Sequence, residues 1–142
     1  YPFRQAMPIQ STLALFNQLT KQERAYLRSH PHHVPVIMRA REFAQSEARR
    51  LFAISGHNDN SDAFRHCLWS AQLARDIGIV NARIYTTAHE SSPRNPPKER
   101  AMDLHNNQVG LNIGVTKQTN EALSRRYMAA LKTGQLKTLQ MK

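Results

Sequence analysis

Between Val36 and Phe52 the apolar side chains Val36, Ile37, Ala40, Phe43, Ala44, Ala48, Leu51 and Phe52 recur at the spacing of an α-helix, while Arg39, Arg41, Glu42, Glu47, Arg49 and Arg50 occupy its other faces. A stripe that wide has to be buried against a partner. The same period returns along the chain and no stretch alternates with period two, so the expected fold is all-α, with helices on every side of the core.

Helix breakers divide the pattern. Residues 1–10 hold two prolines and no periodicity and read as an extended arm. Ser11 can cap a short segment with Leu13, Leu15, Phe16 and Leu19 apolar, and Thr20-x-x-Glu23 has capping-box spacing for a helix running to about His30. Pro31 and Pro35 bracket a break holding His32 and His33, which with His30 read as a solvated loop rather than as a transition-metal patch. The long helix is expected to stop at Ser55-Gly56, where glycine permits a left-handed turn. After the polar loop His57–Ser61, a helix should run from about Asp62 to Ile77 and end at Gly78. Another runs from near Asn81 to His89-Glu90, a loop follows at Pro93, Pro96 and Pro97, a further helix spans about Lys98–Asn112, and the last begins at Thr116 or Thr119. The sum is about five to seven helices in an orthogonal or bundle-like arrangement.

The length of 142 residues suits one compact domain, residues 11–142, with a single core. Opening on Tyr1, the sequence reads as a mature chain or a domain cut from a longer polypeptide. No apolar run approaches the roughly 20 residues that cross a bilayer. Cys67 is the single cysteine, which excludes an internal disulfide and a multi-cysteine metal site.

Charge is unevenly spread. The net +10 divides into +5 over residues 1–54, zero over 55–114 and +5 over 115–142. Basic flanks attract polyanions, whether nucleic acid, anionic lipid or an acidic protein. The neutral middle segment holds the polar motifs. Asp62 and His66, four apart, share a helix face that continues through Trp69 and Leu73, which suits a carboxylate orienting a histidine base or two ligands of a metal. His89-Glu90 closes the next helix, without the H-E-x-x-H spacing of a zinc protease. Asp103 and Asn107 are again four apart, and amides at Asn106 and Asn107 are poor helix formers, which points to hydrogen-bonding work. Each motif alone is equally explained by helix capping or surface polarity. Their concentration, with four of the ten acidic residues and four of the seven histidines in or beside them, points to an active site inside a basic body.

The run Asp62-Ala-Phe-Arg65-His66, then Ala88-His89-Glu90, then Met102-Asp103-Leu104-His105-Asn106-Asn107-x-x-Gly110 resembles a bacterial domain family found at the C-termini of type VI secretion and Rhs-type polymorphic-toxin effectors, over about residues 45–114. The resemblance implies an enzymatic domain secreted or delivered into a target bacterium, acting in the periplasm and matched by a cognate immunity protein. It carries over Asp62, Arg65, His66, His89, Glu90, Asp103, Asn106 and Asn107 as site positions.

The reaction is weighed on residue types. No G-x-S-x-G elbow is present, and His66 points about a hundred degrees away from Cys67 on a helix, which disfavours a cysteine nucleophile. Phosphate-ester hydrolysis fits better. Asp62, His66, His89, Glu90 and Asp103 are the expected catalytic groups and the candidate ligands of a divalent metal ion, should one be needed. Arg65, His57, His105, Asn106 and Asn107 are the expected substrate-binding groups, with Arg65 as a bidentate phosphate clamp. The aromatic residues Phe43, Phe52, Phe64 and Trp69 fall on core faces rather than interleaving with basic residues, which favours a phosphorylated envelope lipid, a phospholipid or lipid-linked peptidoglycan precursor, over DNA or RNA. A nuclease and a non-catalytic helical binding module are the alternatives.

Overall fold

The computed structural model describes residues 17–52 and 59–139. Among these the chain forms six α-helices and no strand: α1 (Lys21–Ser29), α2 (Val34–Leu51), α3 (Asn60–Ile77), α4 (Ile79–His89), α5 (Pro97–Gly114) and α6 (Asn120–Lys132). The all-α architecture and the single packed core are those expected. The N-terminal arm, most of the segment capped by Ser11, and His57 lie outside the described residues.

Local chemistry starts most of these helices. Thr20 caps α1 through its hydroxyl, which accepts from the Glu23 N–H, while Glu23 Oε1 accepts from the Thr20 N–H at 3.0 Å, a complete capping box. Asp59 caps α3 by accepting from Asp62 N at 2.9 Å, so this helix begins two residues earlier than the sequence suggested. Thr119, not Thr116, caps α6. Gly78, with φ 84°, is the one residue between α3 and α4, a backbone conformation open to glycine and costly for other side chains.

Two expectations are corrected. Pro31–His33 forms a 3₁₀ turn running into α2, and Pro35 sits in the first turn of that helix, where its missing N–H needs no partner. The rings of His30 and His33 stack on each other and on Tyr26, with centroids 4.2–5.9 Å apart, and the His32 ring lies tilted against both histidines. Second, α2 ends at Leu51, short of Ser55-Gly56. Phe52 turns extended there, and its ring packs against Phe64 at 5.5 Å, so burial of an aromatic ring outweighs further helix.

Helix α3 is the axle of the fold, buried without interruption from Ser61 to Ala74 and packed against α2, α4, α5 and α6. Its closest partner is α5. A Cβ on Gly110 would stand 2.2 Å from the Cys67 carbonyl oxygen, and one on Gly114 would stand 2.3 Å from that of Ala71. Glycine at both positions lets the two backbones touch, and the side chains at Asp103 and Asn107, on the same face of α5, are thereby pressed onto α3. On the far side, Phe64 meets Tyr127 edge-on at 6.5 Å, within a core that includes Leu68, Ala71 and Leu123.

Candidate active site

The three motifs of the sequence converge at the end of α3 that faces α1, α4 and α5. His66 is completely buried. Its Nδ1 lies 3.0 Å from the Asp62 carbonyl oxygen and 3.3 Å from Asp62 Oδ1, both one turn back on the same helix. Its Nε2 lies 3.8 Å from Glu90 Oε2 and 3.7 Å from Asp103 Oδ2, carboxylates that come from the end of α4 and the middle of α5. His89 stands beside it, ring centroids 6.0 Å apart, and Trp69 closes on His89 edge-on at 5.0 Å.

Glu90 and Asp62 are held in place by neighbours. Asn107 donates to Glu90 Oε2 at 3.0 Å and accepts from Ser70 Oγ at 3.1 Å, a relay across the α3–α5 contact. The Glu90 carbonyl accepts from Asn95 Nδ2 and Arg100 Nε, which fastens the proline loop under the site. Arg65 Nη2 lies 3.2 Å from Asp62 Oδ1.

Glu23 is the member that sequence reasoning missed. It was legible as a capping residue, and it is one, through Oε1. Its other oxygen accepts from the Tyr85 hydroxyl at 2.8 Å and lies 3.2 Å from His89 Nδ1. The signal that could have found it is weak: a glutamate on the apolar side of α1, beside Tyr26 and Leu27 in the buried set. Tyr85 and Ser70 gave no signal at all.

The electrostatics follow from crowding acids and bases in a dry interior. Burial works against a charge on His66, but Asp103, Asp62 and Glu90 outweigh it and carry the imidazole pKa up to about 10. Burial pushes Asp103 up to about 6; the His66 charge opposes that rise and the Glu90 charge adds to it. Glu90 goes the other way: burial would raise it, but His89 and His66 hold it below the usual carboxylate range. Glu23 is likewise held low against its burial, chiefly by His89. Burial alone lifts the Cys67 thiol well above its ordinary value, as suits an inert core residue.

Two other expectations fail on placement. His105 and Asn106 are adjacent in sequence to the site residues but turn to another side of α5, where they clasp the chain after α6: His105 Nε2 is 2.8 Å from the Gln135 carbonyl oxygen, and Asn106 exchanges two hydrogen bonds with the Lys137 backbone, each 2.8 Å. A step of one residue rotates a helix by about a hundred degrees, enough to leave the cluster. Arg65 does not stand free as a clamp, because its guanidinium folds back on Asp62 and is buried. Of the expected positions, Asp62, Arg65, His66, His89, Glu90, Asp103 and Asn107 come together.

Two cavities are lined in part by α1 and by residues that neighbour His89 and Glu90 in sequence, though by none of the cluster itself. A polar one of about 570 Å³ is lined by Lys21, Arg24, Arg94 and Ser92. The other, about 640 Å³, is walled by Ala25, Tyr26, Ile84, Thr87 and Ala88, with His30 and Arg83 also on its wall. Gln22 lines both.

Fold and site together define an all-helical protein built around a buried histidine–carboxylate centre. Residues 24–135 match the family described as domain of unknown function (DUF6973), and the chain belongs to that family. No solved structure matches the chain.

Proposed function

We propose that this chain is the enzymatic domain of an antibacterial effector, a hydrolase that cleaves a phosphate ester of a cell-envelope lipid. The observation that carries the reading is the convergence of His66, Glu90 and Asp103 from three helices to within 3.8 Å of one nitrogen, fully out of solvent. Burying several ionisable groups in one core is costly, and an apolar packing of the same volume would be more stable, so such a cluster persists where chemistry needs it.

Hydrolysis of a phosphate ester needs a cationic seat for the phosphate, a group that takes a proton from water as its oxygen bonds phosphorus, and a group that returns one to the departing oxygen. Lys21, Arg24 and Arg94 offer the seat, beside the Glu90–Asn95 loop. The imidazoles and carboxylates of the cluster stand close enough to one another to exchange the protons. The apolar cavity that shares Gln22 with that seat favours an amphiphile, which presents both a phosphate and a hydrocarbon part, over a nucleic acid. Delivery into a target bacterium, action in the periplasm and neutralisation by a cognate immunity protein belong to the same proposal.

Purified chain incubated with labelled phospholipids, lipid-linked precursor, DNA and RNA tests it. Release of a phosphorylated headgroup or a lipid alcohol is expected, lowered roughly 10²-fold or more in a folded His66→Ala variant. Cleavage of DNA or RNA with intact lipids would replace the lipid assignment by a nuclease. A folded His66→Ala variant that remains as toxic as the parent, when produced in the periplasm, would remove the catalytic reading.

A further inference from the structure

The two histidines of the cluster share one arrangement. Each has Nδ1 within ion-pair distance of a carboxylate, Asp62 at 3.3 Å for His66 and Glu23 at 3.2 Å for His89, and His66 Nδ1 also lies 3.0 Å from the Asp62 carbonyl oxygen. Such carboxylates fix the ring and its tautomer and leave the other nitrogen for a ligand, which is the outer-shell pattern of metal-bound histidine. His66 Nε2 is aimed at Glu90 Oε2 but stands 3.8 Å from it. That is too long for a hydrogen bond. It is near the separation of two donors on one ion: bonds of about 2.1 Å at a tetrahedral angle place the donors roughly 3.4 Å apart. One donor atom each from His66, His89 and Glu90 lies within 4.8 Å of the others. Glu90 is oriented in turn by Asn107, and Asn107 by Ser70.

Charge points the same way. Glu23, Asp62, Glu90 and Asp103 are four buried carboxylates, and Arg65 is the buried guanidinium among them. A divalent cation would offset the excess of negative charge.

We propose that His66, His89 and Glu90 bind one divalent transition-metal ion, Zn²⁺ being the ion that two imidazoles and a carboxylate fit best, with Asp62, Glu23 and Asn107 as the groups that orient them. Three protein ligands leave a position open for water or substrate, the coordination of catalytic rather than structural zinc. Asp103 Oδ2, 3.7 Å from the same His66 nitrogen, is a further carboxylate that would stand near a bound ion. The inference rests on reading this cluster as the hydrolase centre and supplies its nucleophile, because a bound divalent ion makes water acidic enough to react near neutral pH.

The test is titration calorimetry of the full chain, stripped with chelator, against Zn²⁺, with the visible absorption of the Co²⁺-loaded protein as a second readout. One ion per chain and the bands of a four- or five-coordinate Co²⁺ site are expected. Folded His66→Ala and Glu90→Gln variants should lose binding by 100-fold or more, and Glu23→Gln by roughly 10- to 100-fold, the range for an outer-shell group. A His32→Ala/His33→Ala variant should bind as the parent does. Absence of Zn²⁺ binding by the folded parent overturns the inference, as does binding that survives Glu90→Gln or disappears with His32 and His33. If the alanine variant does not fold, Glu90→Gln and the Co²⁺ spectrum of the parent still decide. Zinc bound at these residues without hydrolysis of any phosphate ester leaves the metal site standing and removes the hydrolase; hydrolysis indifferent to chelator, without zinc binding, does the reverse.

Discussion

Helix α3 presents two faces to one protein, and they are built on opposite principles. Toward α2 and α6 it offers Phe64 and Leu68 to a core locked by the Phe52–Phe64 and Phe64–Tyr127 ring contacts. A polar tie crosses between α2 and α6, Ser124 Oγ donating to Glu47 Oε2. Toward α1, α4 and α5 the same helix offers Asp62 and His66 to a crowd of buried acids. The apolar face gains free energy from every group removed from water, and the polar face spends part of that gain on desolvating charges. One helix can carry both because its faces are set by position modulo 3.6, so that a residue shift of two separates Asp62 from Phe64. Apolar packing is concentrated on one side and buried charge on the other.

The seam that joins the two is the most sensitive place to break the contrast. Gly110→Val would drive a branched side chain into the Cys67 carbonyl, already 2.2 Å from where a Cβ would stand, and backbone cannot move aside as a flexible side chain can. Loss of about 3 kcal/mol or more is expected, enough to unfold a marginal domain, and both faces should fail together in thermal unfolding followed by circular dichroism. A melting temperature within a few degrees of the parent would show that α5 does not depend on this close approach.

Leu68→Ala acts on the apolar face alone. A fully buried leucine cut to alanine should cost about 3 kcal/mol in denaturant unfolding while leaving the cluster assembled. Metal or substrate binding lost in proportion to stability would mean that the two faces are not separable.

Asp103→Asn should shift stability in the opposite direction. In the folded state burial raises this carboxyl from 3.8 to about 6, so ionising it disfavours the fold: the penalty grows as pH rises from about 4 to 6 and is complete above that. Removing the charge in chelator-treated protein should therefore stabilise by about 1.5 kcal/mol at pH 7 and by little at pH 4. A destabilised variant at pH 7 would place Asp103 among the groups that hold the fold together.

The smallest effect belongs to the tie. Glu47 is held below the usual carboxylate range, first by its hydrogen bond with Arg50, against the opposing effect of burial, and then by the hydroxyl of Ser124. A lowered folded pKa contributes stability above the unfolded value and loses it as pH falls through the folded one. Ser124→Ala should cost about 1 kcal/mol at pH 7 and progressively less below about pH 4. A cost independent of pH would assign it to packing rather than to the carboxylate.

What could be read from the sequence was whatever is decided within one or two helical turns. The periodic stripe of α2, the capping box at Thr20 and Glu23, the cap at Thr119 among its two candidates and the glycine at Gly78 all follow from neighbours a few residues apart. The pairing of Asp62 with His66, and the gathering of acids and histidines into residues 55–114, were visible for the same reason. What tertiary structure alone decided is which face each polar residue joined. Asn106 and Asn107 are identical in type and adjacent, yet one clasps Lys137 and the other orients Glu90. Glu23 reaches Tyr85 across 62 positions of chain, and Gly110 proved to be the point at which α5 rests on the backbone of α3. Local sequence sets the period and the caps through short-range hydrogen bonds and side-chain sterics. The rotation of each helix about its axis is set by the competition of all faces for one core, and no single segment contains that information.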